Sequence, residues 1–207
     1  MHGTFIFLFV GILSYWPGST RMAQAPAPAS QTSFAAAEAR AYDDPQAYDV
    51  YTAALVAADQ LQEQHPRKII IREEAEPYKM CIHPEGESAR QITPAMADYA
   101  RAIATPWRLQ KKFKLADYEL VAQSVLDALL KNNPQGWQEF RYRYTGSNGY
   151  VEFSPVGFNP DKTVAVVYMG QHCGNLCGSG QMFVMQKSKH GKWQPMEWEG
   201  EHCFWNR

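Results

Sequence analysis

From residue 150 onward the chain changes period, and that change limits what it can fold into. Four short runs, 150–158, 163–169, 181–186 and 192–198, are rich in β-branched and aromatic residues. They are parted by turn chemistry, namely Asn159-Pro160-Asp161-Lys162, a glycine-rich segment holding Gly174, Gly178 and Gly180, and His190-Gly191. Consecutive strands with short connections pair antiparallel, so a C-terminal meander is expected.

The first half carries helical spacing instead. Over 46–64, Tyr48, Tyr51, Ala54, Leu55, Ala58 and Leu61 recur three and four residues apart, and Pro66 stops the run. Residues 67–72 read as a strand and 78–82 as another. Thr93-Pro94 has the chemistry of a helix start, a hydroxyl that can cap free amides followed by a proline suited to the first turn. That helix would turn Met96, Tyr99 and Ile103 inward and end or bend at Pro106. Residues 118–121 are strand-like, a helix could follow from Ser124, and a short helix over 137–144 closes this half. The fold class expected is α+β, with N-terminal helices packed on one face of a C-terminal antiparallel β-meander. The Gly191-Lys192-Trp193 turn is analogous to the penultimate hairpin of cone-shaped folds such as the NTF2-like proteins, which is analogy alone.

The N-terminus reads as an address. An apolar run from Phe5 to Leu13 is too short to span a bilayer, which takes roughly 20 apolar residues. Ala23-Gln24-Ala25 forms the small-x-small pattern of a signal-peptidase site, so residues 1–25 are expected to be a cleavable signal. No Lys or Arg precedes Phe5, which leaves a buried N-terminal strand as the competing reading. Residues 26–33, alternating proline with small residues, form a linker. Residues 34–207 form one globular domain, for which 45% apolar content supplies a core of ordinary size.

The net charge of −1 becomes −2 once Arg21 leaves with the signal. Such a chain lacks the basic face that nucleic acid requires, and after signal cleavage no span for a membrane remains. Localisation is expected to be periplasmic or secreted.

Four runs stand out in the last part of the chain: Val156-Gly157-Phe158-Asn159-Pro160-Asp161-Lys162-Thr163, Ala165-Val166-Val167-Tyr168-Met169-Gly170, Cys173-Gly174-Asn175-Leu176-Cys177-Gly178-Ser179-Gly180 and Gly191-Lys192-Trp193. With Gly136-Trp137 and the closing Cys203-Phe204-Trp205, they resemble a group of uncharacterised exported bacterial proteins. The resemblance covers roughly the last third of the chain. It implies a shared β-rich scaffold and carries no catalytic residue across.

Four cysteines, Cys81, Cys173, Cys177 and Cys203, fit an even set in an oxidising compartment. Of three connectivities, Cys173–Cys177 with Cys81–Cys203 is favoured, because the first two share one tight loop between strands. Histidines accompany them, so zinc or copper ligation by His172, Cys173, Cys177, His202 and Cys203 is a competing reading, with Cys81 and His83 beside it. A third makes Cys173 or Cys177 a nucleophile with His172 or His202 as base. Gly174, Gly178 and Gly180 could converge on an anion, but strands flank them, and phosphate loops lead into a helix. Glu152, Glu197, Glu199 and Glu201 are carboxylates that solvated strand faces explain, although a pair across a cleft would suit glycoside chemistry. Trp193, Trp198, Phe204 and Trp205 could line a carbohydrate or peptide cleft, or simply pack.

No G-x-S-x-G, H-E-x-x-H or P-loop run occurs. The sequence therefore favours a binding or interaction module over an enzyme, taking a small molecule or protein on its meander and glycine-cysteine loop, with no cofactor. The alternatives are a hydrolase or thiol-dependent enzyme using His172, Cys173 or Cys177, and an envelope metal binder.

Overall fold

In the computed structural model, residues 38–58 and 68–207 are described. The expected signal and linker lie outside them, as does the stretch 59–67 that was to hold the end of the first helix.

The chain enters with β1 (Arg40–Tyr42) and α1 (Pro45–Ala57), followed by β2 (Ile69–Arg72) and β3 (His83–Pro84). Next come α2 (Gly86–Ala102), β4 (Trp107–Leu109), β5 (Tyr118–Val121), α3 (Gln123–Leu130) and α4 (Gly136–Arg143). The second half runs β6 (Tyr150–Phe153), β7 (Gly157–Phe158), β8 (Val164–Gly174), β9 (Cys177–Lys187), β10 (Trp193–Pro195), β11 (Gly200–Glu201) and β12 (Phe204–Asn206). The class is α+β.

Eight strands form the main sheet in the order β10-β9-β8-β6-β2-β5, with β12 added to β9 and β7 to β8. The C-terminal part is antiparallel, but β2 pairs parallel with both β5 and β6, so the sheet is mixed rather than a meander alone. Three consecutive isoleucines make β2 possible there, since a parallel strand inside a sheet is buried on both faces.

Helices cover both faces of the sheet, which corrects the expected packing on one. Alternation in β8 decides the arrangement. Ala165, Val167 and Met169 face α1, together with Phe153, Phe183 and Met185. Val164, Val166 and Tyr168 face the other way, onto Ile92, Ala95 and Tyr99 of α2. On that second face, further along the sheet, α3 and α4 pack Leu126, Phe140 and Tyr144 over Ile70 and Val121.

Helix α1 starts as its sequence dictates, with Asp44 accepting the Gln46 amide at 3.0 Å and Pro45 in the first turn. Three buried tyrosines tie this region in. The Tyr42 hydroxyl donates to the Val156 carbonyl at 3.2 Å and accepts its amide at 2.8 Å. Tyr48 donates to the Tyr42 carbonyl at 2.7 Å, and Tyr51 to that of Ser154 at 2.9 Å. Burial raises all three phenols, Tyr48 to about 12.

Helix α2 begins at Gly86, not at Thr93. The Thr93 hydroxyl instead donates back to the Ala89 carbonyl at 2.6 Å, and Pro94 sits within the helix, denying the Arg90 carbonyl its usual donor. The expected strand over 78–82 is irregular chain. Its side chains are used in packing: Tyr78 stacks on Tyr168 with ring centroids 3.8 Å apart, and Ile82 is buried.

The largest departure concerns the glycine-rich segment. It is strand rather than loop, and β8 and β9 continue until Gly174 pairs with Cys177. Gly178 and Gly180 provide room rather than a turn. A Cβ on Gly180 would stand 2.4 Å from Trp205 Nε1 and 2.7 Å from the Tyr168 hydroxyl.

The four cysteines lie in two disulfide pairs, Cys81 with Cys203 and Cys173 with Cys177. The first joins residues 122 apart and anchors β12 to the chain that leads into β3. In the chain-entropy account, replacing Cys81 and Cys203 by alanine costs about 5 kcal/mol, against about 2 kcal/mol for Cys173 and Cys177. Denaturant midpoints of the two double variants should therefore shift by clearly unequal amounts, the first by more.

Candidate functional site

Between the ground covered by α2 and that covered by α3 and α4, the second face of the sheet carries charge instead of hydrocarbon. Arg72 on β2 and Glu152 on β6 both point there, by the same alternation that sends Ile71 and Phe153 to the first face. They are 8% and 7% exposed. Arg72 Nη1 lies 2.7 Å from Glu152 Oε2, its Nη2 reaches Glu76, and its Nε donates to the Glu74 carbonyl at 2.9 Å.

The other oxygen of Glu152 meets β8. His172 Nε2 is 3.1 Å from Oε1, and the Tyr168 hydroxyl donates to the same oxygen at 3.4 Å. The imidazole nitrogen is shielded from solvent and lies off the hydrogen-bond direction, so this is a close approach rather than a hydrogen bond. Trp205 Nε1 donates to the Tyr168 hydroxyl at 3.1 Å. The imidazole is flanked by Tyr150, 4.8 Å away and nearly parallel, and by Trp205 at 5.6 Å.

Burial works against the Glu152 carboxylate, but the His172 contact and the Arg72 guanidinium outweigh it and hold its pKa below the ordinary value. The same carboxylate adds to burial in raising the neighbouring phenols, Tyr150 to about 12 and Tyr168 further. Glycine makes this arrangement possible. Gly170 and Gly180 face each other across β8 and β9, and a Cβ on Gly170 would lie 2.6 Å from the Tyr168 hydroxyl and 2.8 Å from Glu152 Oε1.

A second feature is an open cleft of about 580 Å³. One wall is a face of α2 made by Pro94, Ala97, Asp98, Arg101 and Ala102, and the floor is Val156 and Phe158. The far rim is Tyr42, Asp44, Asn159, Pro160 and Lys162. Lys162 Nζ lies 2.8 Å from Asp44 Oδ2 and 5.2 Å from the centre of the Phe158 ring. Lys162 itself has φ 51°, a left-handed conformation that closes the turn, where its amide donates to the Asn159 carbonyl at 2.9 Å. Asp98 accepts the Phe158 amide at 2.9 Å and Arg101 at 3.0 Å.

The structure scatters the expected cysteine and histidine cluster. His172 belongs to Glu152, Cys173 and Cys177 are bonded to each other at the hairpin end beside the exposed Leu176, and Cys203 is bonded to Cys81. His202 lies over Trp198 with ring centroids 3.9 Å apart, and His83 is 3.3 Å from Glu201. No thiol is free to act as a nucleophile. Among the described residues, no three His, Cys, Asp or Glu are grouped to hold a metal ion. No described helix is long and apolar enough to cross a membrane. Of the four carboxylates singled out, only Glu152 is buried. Of the four aromatics, Trp193 is core and Trp205 covers the charged centre.

Sequence reasoning missed Arg72, Tyr168 and the whole cleft wall on α2. One signal was present for the first: a strand reading Ile-Ile-Ile-Arg puts the arginine on the same face as the middle isoleucine. The chain matches no family model, no curated protein and no solved structure with which it was compared.

The depressed pKa of Glu152 fixes a sign. The unfolded carboxylate takes up its proton at a higher pH than the folded one, so its stabilisation is full above 4.5 and fades as pH falls below that value. Glu152→Gln should cost about 3 kcal/mol at neutral pH, because it leaves Arg72 buried without one of its partners. It should also flatten the loss of stability below pH 4.5, read as thermal midpoints across an acid series.

Proposed function

We propose that this chain is an exported binding module, periplasmic or secreted, whose ligand site is the cleft between α2 and the Asn159–Lys162 turn. One observation carries the reading. The four cysteines are held in two disulfides and Glu152 lies between Arg72 and His172, while a cleft of about 580 Å³ stays open. That volume falls within the range of small-molecule sites.

The residues that line the cleft belong partly to the Val156–Lys162 run that resembles the exported bacterial group. The glycine-cysteine segment is not among them, which moves the recognition surface away from the hairpin end. The signal-like N-terminus and the two disulfides support export. The analogy with cone-shaped folds rests on the Gly191-Lys192-Trp193 turn and adds nothing to this reading.

A hydrolytic function is favoured by a different observation. His172 Nε2 lies 3.1 Å from Glu152 Oε1 without a hydrogen bond, and no described residue bonds its Nδ1, so a buried carboxylate stands beside an imidazole whose second nitrogen is unclaimed.

Two measurements test these readings. Secreted from a host with an oxidising envelope, the protein should begin at Pro26 and show no alkylation of its cysteines without reductant; a Met1 start with four alkylated cysteines overturns export. A fragment library followed by amide chemical shifts should perturb Ala97, Asp98, Phe158 and Lys162. Shifts centred on Tyr150 and His172 would instead favour the hydrolytic reading.

A further inference from the structure

Every side-chain acceptor around the cleft already accepts at least one hydrogen bond. Asp44 gives one oxygen to the Gln46 amide at 3.0 Å and the other to Lys162 at 2.8 Å. Asp98 is shared between Arg101 and the Phe158 amide. Asn159 Oδ1 accepts the amides of Thr163 and Val164 at 2.8 and 2.9 Å, and the Tyr42 hydroxyl both donates to and accepts from Val156.

Donors are used less fully. An ammonium carries three N–H groups and a guanidinium five, yet Lys162 and Arg101 make one side-chain hydrogen bond each here, to Asp44 and Asp98. Their side chains are 42% and 72% exposed, so the remaining donors are reachable from the cleft. Asp44 and Asp98 keep about two lone-pair sites each, against about two spare N–H groups on Lys162 and about four on Arg101, so spare donors outnumber spare acceptors. An acceptor meets donors in excess. The surface between them is apolar, made by Ala97, Ala102, Val156 and Phe158.

The geometry points to a small amphipathic anion as the ligand: a carboxylate taken by Lys162 and Arg101, on an apolar body lying over Ala97 and Phe158. This rests on the reading of the cleft as the binding site and adds its chemical class. The two cations and two carboxylates cancel in formal charge, so the preference for an anion rests on the spare N–H groups of Lys162 and Arg101 and not on a net positive field. Charge-assisted bonds from lysine and arginine to a carboxylate are stronger than neutral ones, which makes the charge of the ligand the discriminating property.

The test uses three probes of similar size on the folded protein, followed by calorimetry and amide shifts: N-acetylphenylalanine, its amide, and phenethylamine. N-acetylphenylalanine should bind at least tenfold more tightly than the amide and lose that advantage in the Lys162→Gln/Arg101→Gln double variant. Lys162→Arg should retain it, and thermal midpoints report that each variant is folded. Ala97→Trp, which lays a large ring over the apolar floor, should abolish binding of every probe. If carboxylate and amide bind equally and both are lost in Ala97→Trp, the anionic class is overturned while the cleft stands. Tighter binding of phenethylamine overturns the class likewise. If no probe shifts an amide along the cleft, both the class and the site are overturned.

Discussion

Burial of β8 on both of its faces organises the molecule. Val164 to Gly170 are all inaccessible, so each successive side chain must find hydrocarbon or a partner on one side or the other. Odd positions are met by α1 and even positions by α2, and this is why neither helix layer could form the domain alone. Where β8 runs past the reach of α2, its side chains turn polar, and the charged centre of Glu152, Arg72 and His172 begins.

That centre is not explained by stability alone. Two charges removed from water cost more than their mutual attraction returns unless further hydrogen bonds satisfy them, and well-packed apolar residues would often serve at least as well. Here the arginine has three partners and the carboxylate is met by arginine, imidazole and phenol. Its position also bears on register. A shift of one residue between β6 and β8 would send Glu152 into the hydrocarbon around Phe153.

Much of the architecture was legible in the residues. The tyrosine stripe of α1, the Asp44 cap, the isoleucine strand and the hairpin alternation each have a local cause that the sequence displays. The cysteine pairing could be argued from loop spacing, since two cysteines four apart can meet only across a tight turn. Other features depended on distant partners. The strand order, with β2 parallel between β5 and β6, is set by which faces need covering rather than by anything within residues 69–72. Thr93-Pro94 carries the marks of a helix start, yet Ile92 and Ala95 gain more by lying in a helix that is already under way. The candidate cleft was invisible for the same reason, because its walls come from α2 and from a turn about sixty residues later, joined by the Asp98 contact to Phe158.

The facing glycines Gly170 and Gly180 place a lasting restraint on how such a domain can vary. Both positions are read locally as permissive, yet the space above them is held by Tyr168, Glu152 and Trp205. A larger residue at Gly180 becomes acceptable only if the indole shrinks or leaves, and one at Gly170 only if the phenol and carboxylate rearrange together. Substitutions at these five positions are therefore coupled, and a lineage can cross from one solution to another only through paired changes.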